Sequence, residues 1–512
     1  MYSKSSLLRI YRNSKWVALF VVILFTSCSD DFLDKFPYNA IASDEFYSNQ
    51  QELEQGINAA YGSLRDVYGS AWIMGEMRSD NTHFIFDPSD RGTAPLENIP
   101  DFLNDAGNGY TASKYYANYG LINDVNQVLA RIDNVELSQE VYDNLKGQAL
   151  FLRAFAYFDL VKYFGGVPIY LAPVTNANSA FVNRSTIEET YAQILEDANE
   201  AAQLLPGVNE QQEGRVTNGT ANMLLGDIYM NLKRYGEAEA ALKKISGYSL
   251  VPNYADIFNT KNTQESLFEV QYLQNQLSNN FFYRFLPKMD NTALVTGVDG
   301  RFNGGQNAMN VATPDLIDSY EEGDTRFEAS IGFVDASTVS LANYSVEEFP
   351  YCKKYLIPHT VYNDVGANWP IYRYAETLLY LAEAINEQGG RSGEVLPLIN
   401  QVRDRARESA GLLPAITTTD QQELREIIAH ERKVEFAFEN KRWIDLIRTG
   451  RAVQVMNAYG QRLKANPEDY YYSVGDAPLS SAYMVTTDDL LFPIPQRERD
   501  VYPELEQNPG YE

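Results

Sequence analysis

The sequence predicts a mainly α protein in which tetratricopeptide-like helical hairpins form a scaffold and the second half is irregular and loop-rich. Two observations lead to this fold class. Apolar residues recur at helical spacing along several long stretches, and one of them, residues 220–245, matches a tetratricopeptide repeat. In contrast, residues 271–320 are rich in Asn, Gly and Phe and carry no long helical pattern. A hydrophobic content of 45% over 512 residues is enough to bury a large core.

The repeat is the most specific of these patterns. Its key positions are occupied by Leu225, Gly226, Tyr229, Tyr235, Ala238 and Leu242. A repeat of this kind forms two antiparallel helices that pack on neighbouring hairpins. Gly226 leaves room for the neighbouring helix, and Ala238 is small enough to let the second helix cross closely. The stretch therefore predicts a helix–turn–helix unit.

Three further stretches are predicted to be helical. The first, residues 145–165, ends at a Gly-Gly pair, and Pro168 then prevents the helix from continuing. The second begins after Pro370, and the third covers residues 424–450. Together with the repeat, they predict helices on both sides of the irregular segment.

Two polar and aromatic segments are predicted to be loops, namely residues 68–87 and residues 271–320. Long irregular segments inside a compact chain are usually functional. The two segments are about 200 positions apart. They can form one binding surface only if the fold brings them to the same face.

The first 27 residues are predicted to be a secretory signal peptide. Lys4, Arg9, Arg12 and Lys15 supply positive charge, and residues 16–25 form an unbroken apolar run. A helix needs about 20 apolar residues to cross a bilayer, so this run is too short to be a membrane anchor. A charged start, an apolar centre and small residues at the end are typical of a signal peptide.

Cys28 follows that segment directly, and the junction resembles a bacterial lipoprotein signal with its lipobox. Residues 29–31, SDD, resemble the acidic export signal that carries lipoproteins to the cell surface in the Bacteroidetes. We therefore expect lipidation at Cys28 and anchoring in the outer membrane, facing outwards, because several acyl chains hold a protein firmly. A plain signal peptide with an incidental cysteine is the alternative. Lipidation leaves Cys352 without a disulfide partner, and we expect it to be a small buried residue.

The charge of the chain excludes nucleic acid as a ligand. The formal net charge is −27, and removal of the signal peptide leaves 38 basic against 69 acidic residues, a net charge of −31. Nucleic-acid binding requires a basic surface. The chain contains 36 Tyr and 25 Phe, and most of these rings are expected to pack between helices.

Five motifs resemble the SusD/RagB family of glycan-binding outer-membrane lipoproteins. They are residues 153–169, 372–384, 399–407, 430–450 and 490–511. The resemblance covers nearly the whole mature chain. It implies a helical N-terminal region, residues 28–260, and a C-terminal region, residues 261–512, that carries the variable ligand-binding loops and further helical repeats.

The resemblance also implies a function and a partner. The protein is expected to capture a nutrient, most often an oligosaccharide, and to pass it unchanged to a TonB-dependent outer-membrane barrel of the SusC type. The motifs themselves are expected to be structural. Arg153 lies in an apolar helix and needs a carboxylate, for which Glu376 or Glu383 is the expected partner.

Candidate ligand-binding residues come from the two predicted loops. They are Trp72, His83, Phe282, Tyr283, Phe302 and Asn303. Aromatic rings can pack on the flat faces of sugar rings, and amides can bind their hydroxyl groups. The alternative is that these rings anchor the loops to the core, or, for His83, that the side chain is solvated.

No catalytic, cofactor or metal site is predicted. His430 lacks the second histidine of a zinc-protease helix, and neither a G-x-S-x-G nor a Walker motif occurs. A glycosidase needs only two carboxylates, which 69 acidic residues could supply. A lipid-anchored glycoside hydrolase on a helical scaffold is therefore the alternative function. A tetratricopeptide scaffold for peptides would explain the repeat but not the surface export or the ring-rich loops.

Overall fold

The structure is a computed structural model that describes residues 46–300, 307–340 and 343–511. The predicted signal peptide, Cys28, Phe302 and Asn303 lie outside the described residues.

Helices dominate the first half of the described chain. In order, they are α1 (Gln50–Tyr68), α2 (Ala94–Glu97), α3 (Gly109–Leu129), α4 (Gln139–Phe164), α5 (Ala177–Ala180), α6 (Ile187–Leu204), α7 (Asn218–Asn231), α8 (Tyr235–Leu242) and α9 (Asp256–Asn259). A π-helical turn, Ile73–Met77, follows α1. Side-chain oxygens cap several long helices, for example Asn108 at α3 and Thr217 at α7, and this fixes where these helices begin.

The second half mixes short and long helices. They are α10 (Phe281–Phe285), α11 (Ala293–Thr296), α12 (Pro314–Ile317), α13 (Thr325–Ser330), α14 (Tyr374–Gln388), α15 (Ser392–Ala406), α16 (Gln421–Glu435), α17 (Arg442–Arg448), α18 (Ala452–Ala465) and α19 (Gln496–Val501). The strands of the described residues are β1 (Thr82–His83), β2 (Ser266–Val270), β3 (Val311–Ala312), β4 (Ile331–Asp335), β5 (Glu348–Cys352) and β6 (Trp369–Arg373). They form three separate antiparallel pairs, β1–β3, β2–β6 and β4–β5.

The long helices stack side by side into a scaffold. Helix α1 packs on α3, α3 on α4, α4 on α6, α6 on α7, and α7 on α8. The stack then continues with α14, which packs on α8 although about 130 residues separate the two helices. Helices α15 and α16 pack against α14. The prediction of a mainly α fold built from tetratricopeptide-like hairpins is confirmed.

The predicted repeat is the hairpin α7–α8. A Cβ atom added at Gly226 would lie 2.5 Å from Leu242 Cδ2, so only glycine lets the two helices approach this closely. Ala238 is fully buried on α8. The space that the repeat pattern assigns to Gly226 is therefore filled by Leu242 of α8.

The chain between α8 and α14 holds the irregular segment. It leaves the scaffold after α8 and returns through β6, which pairs with β2 and leads directly into α14. Within residues 271–320 the described elements are short, as predicted: α10, α11, α12 and β3. A long insertion thus extends from the scaffold, and the pairing of β2 with β6 joins its two ends.

The predicted helix over residues 424–450 is two helices, α16 and α17. The chain turns between them, where Phe438 and Asn440 have φ angles of 69° and 64°. The carboxylate of buried Glu76 accepts hydrogen bonds from the backbone N–H groups of both residues, at 2.9 and 3.0 Å. The single-helix prediction was wrong because a carboxylate from a distant segment binds the backbone that a continuous helix would use.

The motif at residues 430–450 forms part of a buried ion-pair network, in agreement with its expected structural role. Arg373 binds Glu265, Glu435 and Glu439 at 2.6, 2.9 and 2.8 Å. Burial alone would raise the pKa of Glu435, but Arg405, Arg373 and Arg326 hold it well below its usual range. Charges buried this deeply persist only when each one is paired.

Arg153 also pairs with a carboxylate, but not with one of the expected partners. Its Nε and Nη2 atoms donate to Asp197 on α6 at 2.7 and 2.8 Å. Glu376 instead pairs with Arg432 and Lys441, and Glu383 pairs with Arg448. The expected partners were wrong because α4 packs on α6 and not on α14.

Cys352 is fully buried on β5, as expected, and burial raises the pKa of its thiol. Among the described residues, none of the helices has both the length and the apolar character needed to cross a bilayer.

Candidate functional site

The fold brings the two predicted loop segments together. Strand β1, from the first segment, pairs with β3, from the second: Thr82 lies opposite Ala312 and His83 opposite Val311. Ile85 N–H also donates to the Ala308 carbonyl at 2.8 Å. The two segments therefore meet on one side of the scaffold, which is the condition for a shared site.

Trp72 lies in the core and not in a loop. It immediately precedes the π-helical turn, its side chain is 0% exposed, and its ring meets Phe285 edge-on with centroids 5.0 Å apart. The prediction of a loop over residues 68–87 was wrong at this position because the segment continues helically after α1. Because its ring is fully covered in this structure, Trp72 cannot stack on a sugar, and it packs against Phe285 of α10 instead.

His83 is also fully buried, in a chain of hydrogen bonds. Its Nδ1 lies 2.8 Å from the Phe84 carbonyl oxygen, and its Nε2 lies 2.9 Å from the Tyr483 hydroxyl. That hydroxyl lies 2.9 Å from Asp101. Burial lowers the pKa of His83 to about 4 and raises the pKa of Asp101 to about 7. His83 therefore contacts other parts of the core rather than solvent or a surface ligand.

Phe282 and Tyr283 lie on α10, and their side chains are both 0% exposed. Phe282 faces the β4–β5 pair, where its ring meets Tyr351 edge-on. Tyr283 faces the surface loops, and its ring packs against Tyr362 with centroids 4.7 Å apart. Of the predicted residues that the structure describes, only Tyr283 adjoins a half-exposed ring of this kind.

Tyr362 is the centre of a polar surface that we name the Asn-rich face. The face consists of residues 273–283, 291–300 and 358–364. His359 donates its Nδ1–H to the Ile357 carbonyl at 2.8 Å, so its Nε2 accepts the Tyr283 hydroxyl at 2.6 Å. This pair fixes Tyr283, and Tyr283 in turn holds the half-buried ring of Tyr362 in place.

Three buried polar atoms of this face lack a hydrogen-bond partner. They are the hydroxyl of Tyr362, Oδ1 of Asn363 and Oδ1 of Asn279. Tyr362 and Asn363 are adjacent in the sequence, and the backbone pairing of Asn279 with Val365 brings the third atom to the same face. Buried polar groups are nearly always paired, so these atoms are available to a ligand. One donor-acceptor hydroxyl and two amide oxygens beside an aromatic ring match the hydroxyl groups and the apolar face of a sugar.

Backbone pairing holds the segments of the face together. Asn279 and Val365 exchange two backbone hydrogen bonds, at 2.8 and 2.9 Å. Asn275 N–H donates to the Asp364 carboxylate at 2.9 Å. A Cβ atom added at Gly300 would lie 2.0 Å from Tyr362, so the chain enters residues 301–306 directly beside this ring.

Sequence reasoning missed Tyr362, Asn363 and His359. All three lie in residues 358–366, PHTVYNDVG, a short polar segment with one ring that ends just before Trp369 and Pro370. The signal in the sequence was an aromatic residue, Tyr362, followed by Asn363 and Asp364 in a segment between two strands. It was overlooked because the longer segment at 271–320 carried the same composition more strongly. Within the described residues, no group of three or more His, Cys, Asp or Glu could hold a metal ion.

Comparison with known proteins identifies the family. A model described as the SusD family matches residues 333–511, and a second, described as starch-binding associating with outer membrane, matches residues 31–230. The chain belongs to the SusD/RagB family. A SusD-like protein from Formosa agariphila, P2, is 27% identical over 489 residues, which are 88% of this chain and 94% of that protein.

Solved structures share the SusD fold. A SusD homologue from Bacteroides thetaiotaomicron superposes with a TM-score of 0.75 at 21% identity, covering 92% of this chain and 98% of the homologue. Surface glycan-binding protein A from the same organism, in complex with laminarihexaose, superposes with a TM-score of 0.72 at 22% identity, covering 90% and 99% of the two chains. These identities are low, so the likeness shows the fold alone.

Proposed function

We propose that this SusD/RagB protein captures an oligosaccharide at the Asn-rich face. The observation that carries the proposal is the half-buried ring of Tyr362 beside three unpaired polar atoms. The ring supplies a stacking surface, and the amide and hydroxyl groups gain their missing partners from sugar hydroxyls. The structure of a similar protein with bound laminarihexaose supports a glycan as the ligand class.

The predicted residues have different parts in this proposal. Tyr283 positions Tyr362, whereas Phe302 and Asn303 belong to residues 301–306, which follow Gly300 at the edge of the face. Those two residues remain predicted ligand contacts. Trp72, His83 and Phe282 support the face from the core and do not contact the ligand.

We further propose that the captured glycan passes unchanged to a SusC-type TonB-dependent barrel, and that a lipid at Cys28 holds the protein on the outer membrane, facing outwards. Membership of the SusD/RagB family supports the barrel as partner. The description of the second matching model, which includes association with the outer membrane, supports the location.

Replacement of Tyr362 by Ala tests the site. Truncating a central aromatic anchor typically costs about 2 kcal/mol, so affinity should fall roughly thirtyfold. A panel of soluble oligosaccharides that includes laminarihexaose would be measured by calorimetry on the wild type first, and the tightest ligand then on the variant. Phe333, an exposed ring on β4, is the matched control, and Phe333→Ala should bind like the wild type.

The same samples distinguish capture from hydrolysis. The wild type should bind the chosen oligosaccharide without producing new reducing ends. New reducing ends that accumulate with enzyme concentration would favour the glycoside hydrolase instead. Unchanged affinity in Tyr362→Ala would remove the Asn-rich face as the site.

A further inference from the structure

An open groove lies along helix α3. We name it the tyrosine groove. Helix α3, residues 168–182 and the C-terminal residues 498–505 line it, and its volume is about 400 Å³. Its walls carry six aromatic rings, those of Tyr115, Tyr116, Tyr119, Tyr170, Phe181 and Tyr502.

The groove is mainly apolar because most of its polar groups are already paired. The hydroxyls of Tyr119 and Tyr170 donate to the carbonyls of Pro168 and Ala180, at 2.8 and 2.7 Å. Phe181 and Val501 at the rim are 46% and 62% exposed. Apolar surface of this size, left open to water, favours an apolar occupant.

One hydroxyl in the groove is not fully paired. The buried hydroxyl of Tyr116 makes no hydrogen bond of ordinary length and angle, although the carboxylate of Glu498 is near enough to raise its pKa in addition to burial. A hydroxyl in this position can bind the backbone amide or carbonyl of an extended peptide. The groove therefore combines apolar walls with one site for a peptide backbone.

We propose that the occupant is the protein's own N-terminal segment, residues 32–38. This segment, FLDKFPY, lies outside the described residues and contains four large apolar side chains and a proline. It also contains Lys35, whose charge complements Glu498, while Asp34 complements Arg497, which is exposed at the same end of α19. Both its hydrophobicity and its charges fit the groove.

The chain between this segment and the first described residues is long enough for the segment to reach the groove. Tyr47 packs against Gly56, and its ring lies against Arg131, so the described chain begins beside the C-terminal end of α3. Helix α3 also forms a wall of the groove, through residues that include Asn126, and a helix is only about 10–12 Å thick. Seven residues lie between Tyr38 and Phe46, so the two Cα atoms can be up to about 28 Å apart when the chain is extended.

Docking of this segment would determine how the protein is held at the membrane. Only three residues separate Cys28 from Phe32. If Cys28 is lipidated, as proposed above, the groove would face the bilayer and the Asn-rich face would keep a fixed orientation. The docking itself does not depend on lipidation or on glycan binding.

Cleavage by trypsin after Lys35, the sole basic residue of positions 29–45, tests the docking. The protein used is the mature chain with Cys28→Ser, and the readout is the release of residues 28–35, followed by mass spectrometry. Because docking covers the bond, Phe181→Asp and Val501→Asp should be cleaved at least tenfold faster than the parent chain. Leu479→Asp, at an exposed apolar residue outside the groove, should be cleaved at the parent rate.

The rate of disulfide formation provides a second test, and this test does not place a charged residue in the apolar groove. Phe36→Cys paired with Val501→Cys should form an intramolecular disulfide at least tenfold faster than Phe36→Cys paired with Leu479→Cys. Cys352 does not interfere because it is buried. Equal rates for the two pairs would overturn the proposal. So would cleavage that slows as protein concentration rises, which would indicate a second copy in the groove.

Discussion

Burial determines which groups carry a proton in the hydrogen-bond chain of His83, Tyr483 and Asp101. Nδ1 of His83 faces a carbonyl oxygen and must carry a hydrogen, so Nε2 of the neutral ring accepts the Tyr483 hydroxyl. The Tyr483 hydroxyl also lies 2.9 Å from Asp101 Oδ1, to which it can donate when Asp101 is ionised. Because the hydroxyl has only one hydrogen, it can bind both His83 and Asp101 only when Asp101 is protonated and donates to the tyrosine oxygen. The raised pKa of Asp101, about 7, and the lowered pKa of His83, about 4, agree with this arrangement.

Asp101→Asn should therefore stabilise the protein above neutral pH. The folded pKa of Asp101 lies above its unfolded value, so the stability that its protonated form contributes is complete below about pH 4 and is lost as pH rises through about 7. An asparagine amide can donate to Tyr483 at every pH. The difference in unfolding free energy between variant and wild type should grow by on the order of 2 kcal/mol between pH 5 and pH 8.

Urea unfolding at the two pH values measures that difference. Asp105→Asn, at an exposed aspartate nearby in the sequence, is the control and should show no such trend. A constant difference between pH 5 and pH 8 would contradict the proton assignment.

At the scale of elements, close helix packing explains the residues of the repeat. Gly226 lies at the interface of α7 and α8, Ala238 is fully buried on α8, and α8 also packs on α14 from beyond the insertion. The hairpin is thus the element through which the first and second halves of the scaffold join. Overfilling this interface should disturb both halves.

Ala238→Phe should destabilise the protein by about 1–3 kcal/mol, because the larger ring cannot fit between packed helices. The measurement is the melting temperature and the free energy of unfolding in urea. Ala240→Phe places the same ring on the exposed side of the same helix and should leave stability nearly unchanged. Equal stability of the two variants would count against the assignment of α7–α8 as a tightly packed repeat.

At the scale of the whole molecule, the helical scaffold carries an insertion that forms the candidate site. The insertion is joined to the scaffold by the β2–β6 pair and by the buried charges around Arg373. None of the five motifs includes a residue of the Asn-rich face. The motifs therefore indicate the family, and the face is where we propose that the ligand binds.

If Cys28 carries the proposed lipid, Cys28→Ala should release the protein from the outer membrane without changing its fold. Fractionation of cells and mass spectrometry of the mature terminus measure this. Cys352→Ala, at the buried cysteine, should stay with the membrane. A mature terminus at a residue other than Cys28 in the wild-type protein would contradict anchoring at this position.

The candidate site could be predicted only in part. The sequence indicated one of the segments that form the candidate face, because an Asn-rich composition without helical periodicity is visible locally, and Tyr283 adjoins the face. It did not indicate which rings are exposed. The sequence neighbours of Trp72, His83 and Phe282 resemble those of surface residues. In the folded protein, however, residues from distant segments bury these three side chains.

By itself the sequence determined the mainly α fold class, the α7–α8 hairpin, the family and the structural character of its motifs. Each of these depends on short-range periodicity or on the spacing of a few residues, which a linear chain displays directly. Only the tertiary structure decided the partner of Arg153, the break between α16 and α17, the position of Tyr362 and the existence of the tyrosine groove. Those features arise from contacts between residues far apart in the chain, and burial and pairing at such contacts follow from packing rather than from local composition.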